Sequence, residues 1–434
     1  MSNRQRFFFL LVAGLLTWIV ALSTGRRLAY QLAYVITAAL VGALVMAWSN
    51  LRGLRVTRVT PSPRSQVGFI VEEHLMVRNT TFLPKLWIEL RDFSTLPGHR
   101  VSHVIPGLGP RRTYRWHART LAIQRGIYRL GPMVLISSDP FGLFTFHKEL
   151  PGHASLVIYP LIVPLPYFPL PQGRLPGGSA LRRRAHYVTT NVSGVREYQP
   201  GDALNRIHWK TTARTGRLMS KEFELDPYAD VWCVLDMHRD IYTGRLFEDI
   251  DVSVPLLTLR KLQMLLPPHS AEYAVAAVAS IGHYTLRQDR TLGFITYAQK
   301  RHVIHPDRGE RHRERLLETL ARVQPRGDAP LQHVLASEIS RFPRYSTLIV
   351  VTADWTAGWI SLLAELRHRG IQPIVILIDS STFGPLPSPQ PLLPHLAHHN
   401  ITTYLLRRDE PLDKALLHPA VALPTTPAPI YPRA

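Results

Sequence analysis

The chain has 434 residues, too many for one ordinary core at about 100 to 200 residues per domain, so two or three domains are expected. Hydrophobic residues make up 46% and charged residues 19%, which excludes a wholly disordered chain, and the single cysteine, Cys233, excludes an intrachain disulfide or a multi-Cys metal site. The net charge of +20 comes almost entirely from Arg and directs the molecule toward anionic surfaces: lipid headgroups, nucleic acid or an acidic protein.

The amino terminus carries the strongest signal. Phe7–Leu22 (FFFLLVAGLLTWIVAL) is uncharged and apolar, and Leu28–Trp48 is long enough to span a bilayer at about 1.5 Å rise per residue. Tyr30, Tyr34 and Trp48 lie near the ends of the second segment, where aromatic rings suit the interface. Only STGRR separates the two, so residues 1–50 are expected to form a transmembrane hairpin. Arg4 and Arg6 precede it and Arg52, Arg55, Arg58 and Arg64 come after it, which places both termini and the bulk of the chain on the cytoplasmic side of the membrane. Ala21 and Ser23 leave open a cleaved signal segment, with Leu28–Trp48 as a stop-transfer anchor. The bulk of the chain stays inside in either case.

From 51 to 160 short runs of alternating polarity, such as FIVEEHLMV and LWIELRDF, are broken by Pro and Gly at turn spacing, the pattern of a small antiparallel β-sandwich that SSDPFGLF closes. Residues 161–190 are rich in Pro and Gly, carry Arg182, Arg183 and Arg184, and read as a surface linker. From Asp226 strands and helices alternate, which calls for a mostly parallel sheet covered on both faces: VWCVLD, then the small-residue helix SAEYAVAAVASIGHYTLR, then TLGFITYA, LIVVT and PIVILI with amphipathic helices between them. This domain, with the stretch that precedes it, spans 191–415, and the Pro-rich tail 416–434 is expected to be disordered.

Between linker and sheet lies VREYQPGDALNRIHWKTTARTGRLMSKEFE. It reads as a strand, a turn capped by Asp202, a short helix from Ala203 and a second strand. Catalysis would make His208 a general base oriented by Asp202 or Glu197, with Arg196 and Arg206 holding an anion. The chain contains no nucleophile elbow, Walker A loop or H-E-x-x-H, and its one Gly-Leu-Gly, at Gly107–Gly109, lacks the rest of a dinucleotide fingerprint. The simpler reading is a clasp in which Arg196, Glu197, Asp202 and Arg206 pair and Trp209 packs; a docking surface comes between the two.

This stretch closely resembles the signature of the domain of unknown function 58 family, at Arg196, Tyr198, Gly201, Asp202, Arg206, Ile207, His208, Trp209, Thr212, Ala213, Arg214 and Leu218, with one extra residue between Asp202 and Arg206. RGIYRLGPMVLISSDPFGLF, at 125–144, looks like the same family's second signature. The resemblance implies a bacterial membrane-anchored protein with an immunoglobulin-like β-sandwich and a von Willebrand factor A-like α/β domain, acting with a MoxR-type AAA+ ATPase on client proteins. It carries over no catalytic residue. In A-type domains a metal site of the form D-x-S-x-S, with a Thr and a further Asp, sits at the carboxyl end of the sheet. The corresponding run here is Asp236, Met237, His238, Arg239 and Asp240, Ala329 stands where Thr would coordinate, and Asp354 comes after LIVVT. Asp236, Asp240 and Asp354 could still hold Mg²⁺ with several waters, with Thr352 as a helper. The expected function is therefore a non-enzymatic adaptor or scaffold without a required cofactor. Alternatives are a basic nucleic-acid-binding membrane protein and a metal-dependent hydrolase.

Overall fold

The computed structural model of the chain describes residues 3–170, 192–199, 204, 207–223, 230–245 and 266–422. Two compact units emerge, one built on Met1–Leu161 and one on Ile162–Gly244 together with most of the chain after Pro268.

The first unit opens with helices α1 (Asn3–Thr24) and α2 (Arg27–Asn50). Stretches of 18 and 24 residues, Phe7–Thr24 and Arg27–Asn50, are long and apolar enough to cross a membrane. The helices pair as an antiparallel hairpin: Trp18 donates through Nε1 to Thr37 Oγ1 at 3.0 Å and its ring meets that of Tyr34 edge-on at 5.4 Å. Ten strands come next in this unit: β1 (Leu54–Val59), β2 (Arg64–Gln66), β3 (Ile70–Asn79), β4 (Lys85–Asp92), β5 (His103–Leu108), β6 (Thr113–Leu121), β7 (Gly126–Leu130), β8 (Met133–Ser138), β9 (Thr145–Leu150) and β10 (Ala154–Tyr159). Sheets of order β1-β3-β6 and β5-β4-β8-β9 share one core, where Leu54, Leu75 and Val77 of the first meet Ile88, Leu90, Ile105 and Leu135 of the second. The period-2 alternation in β3 buries Val71, Glu73, Leu75 and Val77 and turns Glu72 outward. SSDPFGLF does not close the unit: its turn joins β8 to β9 as a hairpin, and β10 pairs with β7 and β2.

Glu73 shows why that alternation is only half a hydrophobic signal, since it occupies a core position. It is fully buried and receives the Arg58 guanidinium at 2.6 Å, His99 Nε2 at 2.9 Å and the Thr60 hydroxyl at 2.8 Å, while Arg58 also reaches Asp92 at 2.9 Å. Burial alone would raise the Glu73 carboxyl, yet the hydrogen bonds from His99, Arg58 and Thr60 hold it down at about 2.

The second unit begins with the antiparallel pair β11 (Val192–Glu197) and β12 (Met219–Phe223). Its main sheet comprises β13 (Val231–Asp236), β14 (Leu292–Tyr297), β15 (Arg301–Asp307), β16 (Thr347–Thr352), β17 (Gln372–Ile378) and β18 (Thr402–Leu406), in the order β15-β14-β13-β16-β17-β18. All neighbouring strands of this sheet are parallel except β14 and β15. Every residue of β13 and β16 is buried, as continuous apolar strands covered on both faces must be. On one face lies the helix Ser270–Arg287, whose Gly282 leaves room for Leu316 of the helix Glu310–Arg322. On the other, Leu331, Val334, Leu363, Leu366 and Leu396 from three helices pack on Val234, Val350 and Val375.

Two expected boundaries move. The expected linker begins inside the second unit: Phe168 is buried beside Tyr404 at 5.4 Å between rings, and the Val163 amide donates to Ser280 Oγ. The Arg triplet at 182–184 lies outside the described residues. Nor does the tail start at Leu416, which is fully buried, and Val421 bridges Thr403.

Candidate functional site at the carboxyl edge of the second sheet

Strand order locates the site. The chain leaves β13 toward β14 and leaves β16 toward β17 on the opposite side, so the carboxyl ends of β13 and β16 flank the point where the winding reverses. In open α/β sheets that crevice is where ligands bind. Asp236 ends β13, and Asp354 lies two residues beyond the end of β16. Both are buried.

Thr352 joins them. Its hydroxyl donates to Asp236 Oδ2 at 2.8 Å and accepts the Asp354 amide at 3.0 Å. The other Asp236 oxygen takes the His238 amide at 3.0 Å, and the Asp354 oxygens take the amide and hydroxyl of Thr356 at 2.8 and 3.0 Å. Burial pushes the Asp236 carboxyl up to about 7; the Thr352 and His238 donors pull it down, and the Asp354 charge adds to the rise.

The loop that carries Ala329 runs beside this edge. Gly327 donates its amide to Met237 O at 2.8 Å and accepts that of Arg239 at 3.0 Å, so 327–329 runs along 237–239. A Cβ on Gly327 would come within 2.2 Å of the Tyr297 carbonyl oxygen and 2.9 Å of that of Met237, so only glycine permits this approach. Asp240 does not join the other two carboxylates. It is 70% exposed on the rim, 3.9 Å from His238 Nε2 and from Arg239 Nε, while Arg239 pairs with Asp328 at 3.0 Å. Among the described residues no group of three or more His, Cys, Asp or Glu side chains is arranged to hold a metal ion. The positions where the resemblance implied hydroxyl ligands carry His238, Asp240 and Ala329 instead, and the oxygens left at the edge are engaged: Asp236 by Thr352 and the His238 amide, Thr352 by the Asp354 amide, and Asp354 by Thr356. That set does not fit a resident divalent cation.

The signature stretch folds as β11, helix α3 (Trp209–Thr215) and β12, with Arg196 of β11 in register with Ser220 of β12. The helix begins six residues later than expected, and its cap is His208, whose Nδ1 accepts the Thr211 amide at 3.2 Å. Ile207, inside the expected helix, is instead buried as it bridges Ser220. Gly216 ends α3 with φ 69°, as a left-handed terminator. Gly201, Asp202 and Arg206 lie outside the described residues. Arg196 donates to the Glu197 carbonyl, and the Glu197 carboxylate takes Arg217 at 2.8 Å, a partner the clasp reading left out. Tyr198 continues the pairing through its amide to Leu218 O at 2.9 Å. Trp209 does not pack: it is 67% exposed, with Leu204, Leu218 and Arg214 also exposed.

The profile of the family described as "Protein of unknown function DUF58" matches residues 194–246, from β11 through the edge at Asp236. The "Uncharacterized protein YeaD" of Bacillus subtilis (strain 168) is 21% identical over 365 residues, covering 81% of this chain and 84% of the relative. Among solved structures, an aerotolerance-related membrane protein from Bacteroides fragilis NCTC 9343 is similar at 14% identity over 43% of this chain and 94% of that one, with a TM-score of 0.29. The CARDB domain of the PF1109 protein from Pyrococcus furiosus covers 24% of this chain and 91% of its own at 18% identity, with a TM-score of 0.18.

Proposed function

From the DUF58 profile match at residues 194–246 and the apolar hairpin, we propose a membrane-anchored, non-enzymatic adaptor: a hairpin spanning the inner membrane, an immunoglobulin-like sandwich, and a von Willebrand factor A-like domain that presents its carboxyl edge, on the cytoplasmic side, to a MoxR-type AAA+ ATPase and a client protein. The observation that carries it is the state of the edge. Its inner carboxylates are engaged by the protein's own hydroxyl and amide donors, and its rim of Arg239, Asp240 and Asp328 is exposed at 64, 70 and 78%. Such a rim favours recognition of a charged protein surface, which sets specificity and encounter rate. Exposed Trp209 supplies an aromatic anchor of the kind that dominates interface energetics.

The adaptor reading is tested by placing a photo-crosslinking amino acid at position 209 and another at 240 in the full-length protein in native membranes. The reading expects an ATPase subunit or client crosslinked at one or both positions. Crosslinks to lipid or nucleic acid alone would contradict it.

A further inference from the structure

The segment leading into β4 runs beside the carboxyl end of α2. Asn50 donates to the Leu86 carbonyl at 3.0 Å and accepts the Leu86 amide at 3.4 Å, the Thr80 amide donates to Gly53 O at 2.8 Å, and the buried Lys85 ammonium donates to the Ser49 carbonyl. These bonds fix residues 80–87 at the level of Trp48–Arg52. On that segment Phe82, Leu83 and Trp87 are 73, 59 and 55% exposed. With Leu86, also exposed, that makes four large apolar side chains exposed within six residues, which is unusual for a surface in water. Trp87 also holds φ 53°, in the left-handed region, although the β4–β5 register runs unshifted from Leu86–Gly107 to Ile88–Ile105. A bulky residue is rarely found in that conformation, and here it leaves an indole outside the core.

A second loop reaches the same level. Asp139 accepts the amides of Phe141 and Phe144 at 2.8 and 2.6 Å, which holds the turn between β8 and β9. Phe141 is exposed at its tip, and the ring of Phe144 meets Phe7 of α1 at 5.3 Å. Two cations lie on the aromatic faces, Arg52 over Trp48 at 3.4 Å and Arg111 over Phe82 at 4.1 Å. Aromatic rings bearing guanidinium groups suit the boundary between acyl chains and headgroups: the ring enters the apolar side and the cation meets phosphate.

We propose that these two loops form a lipid-binding collar around the base of the hairpin. Phe82, Leu83, Trp87 and Phe141 enter the headgroup–acyl boundary, and Arg52 and Arg111 contact lipid phosphates. The proposal rests on the hairpin spanning the bilayer. It makes the sandwich a domain seated on the bilayer through its own surface as well as through the hairpin.

The test uses the full-length chain in vesicles of phosphatidylcholine with and without phosphatidylglycerol. In a Cys233→Ala background, single nitroxide labels are placed at 82, 83 and 141, at Val41 within α2, and at Ser62 in the loop after β1. Collision with oxygen, which concentrates in lipid, is compared with collision with a water-soluble nickel chelate. The collar predicts an oxygen-to-nickel ratio at 82, 83 and 141 roughly threefold or more above that at 62 and below that at 41. It also predicts that Arg111→Gln, which keeps every apolar side chain, narrows the difference between the two vesicle types. Lipid-like collisions at 41 with water-like collisions at 82, 83 and 141 overturn the collar and leave the span intact. Water-like collisions at 41 overturn both. Shielding of 82, 83 and 141 from both reagents, the signature of a covering protein, also overturns the lipid assignment.

Discussion

The Thr352 hydroxyl donates to Asp236 Oδ2 at 2.8 Å, a hydrogen bond between the ends of two neighbouring parallel strands at the reversal point of the sheet. The hydroxyl oxygen also accepts the Asp354 amide, so one side chain fixes the separation of both strand ends. Thr352→Val keeps the shape and removes the donor, leaving a buried carboxylate short of one partner. It is expected to cost about 1 to 3 kcal/mol, read as faster hydrogen exchange in β13 and β16.

Asp236 itself gives a pH signature. Its carboxyl stands at about 7 in the fold against an ordinary 3.8, so the fold penalises the charged form and stability is lost as pH rises from the unfolded value through about 7. Asp236→Asn removes that penalty. Relative to the parent, the variant should gain on the order of 2 kcal/mol between pH 5 and pH 8, measured by denaturant unfolding of the second unit at both values. A pH-independent difference would mean that the carboxylate is not held as described.

Glu73 behaves with the opposite sign. Its carboxyl is held at about 2 against 4.5, so its contribution is present above 4.5 and is lost as pH falls toward 2. Glu73→Gln should abolish most of the acid sensitivity of the β1-β3-β6 sheet. Arg58→Leu removes the guanidinium shared by the Glu73 and Asp92 carboxylates, leaving Glu73 only His99 and Thr60, and should cost about 3 to 5 kcal/mol, seen in the hydrogen exchange of β3.

Gly327→Ala sets a methyl group against the carbonyls of Tyr297 and Met237. The backbone has to move, so the expected cost is about 2 kcal/mol or more, with faster exchange centred on residues 237–239.

Magnesium at millimolar concentration is expected to leave the unfolding of the second unit unchanged. A ligand that bound only the folded state at 100 times its Kd would add about 2.7 kcal/mol, which calorimetry would register. Such a shift, lost in Asp354→Asn, would return the edge to metal chemistry.

The two hairpin helices, the alternating strands of the first unit and the helix Ser270–Arg287 were legible because hydrophobic run length and period report burial directly. β15 escaped because it is an edge strand in which Val303 and Ile304 sit side by side among Arg, His and Pro, with no alternation to read. The buried Glu73–Arg58–His99 cluster was equally invisible, since its members are far apart in sequence and charged residues read as surface. At the edge, strand order alone brings Asp236 beside the Asp354 strand end, and Thr352 stands between them as a helper would. The outward turn of Asp240 depends on the short helical turn Arg239–Ile241, which no residue pattern announced. Packing is the ordinary expectation for a large aromatic residue such as Trp209; here the late start of α3 leaves it outside.

The measurement that bears most directly on the adaptor is affinity purification of the full-length protein from native membranes after mild crosslinking, comparing the parent with Trp209→Ser. The exposed side chain contributes little to the fold, so this variant should match the parent in stability within about 0.5 kcal/mol. The account predicts an AAA+ ATPase recovered with the parent and depleted at least about tenfold with the equally folded variant, a loss of about 1.4 kcal/mol in association. Recovery of nucleic acid in its place, or of no ATPase under any nucleotide condition, would contradict it.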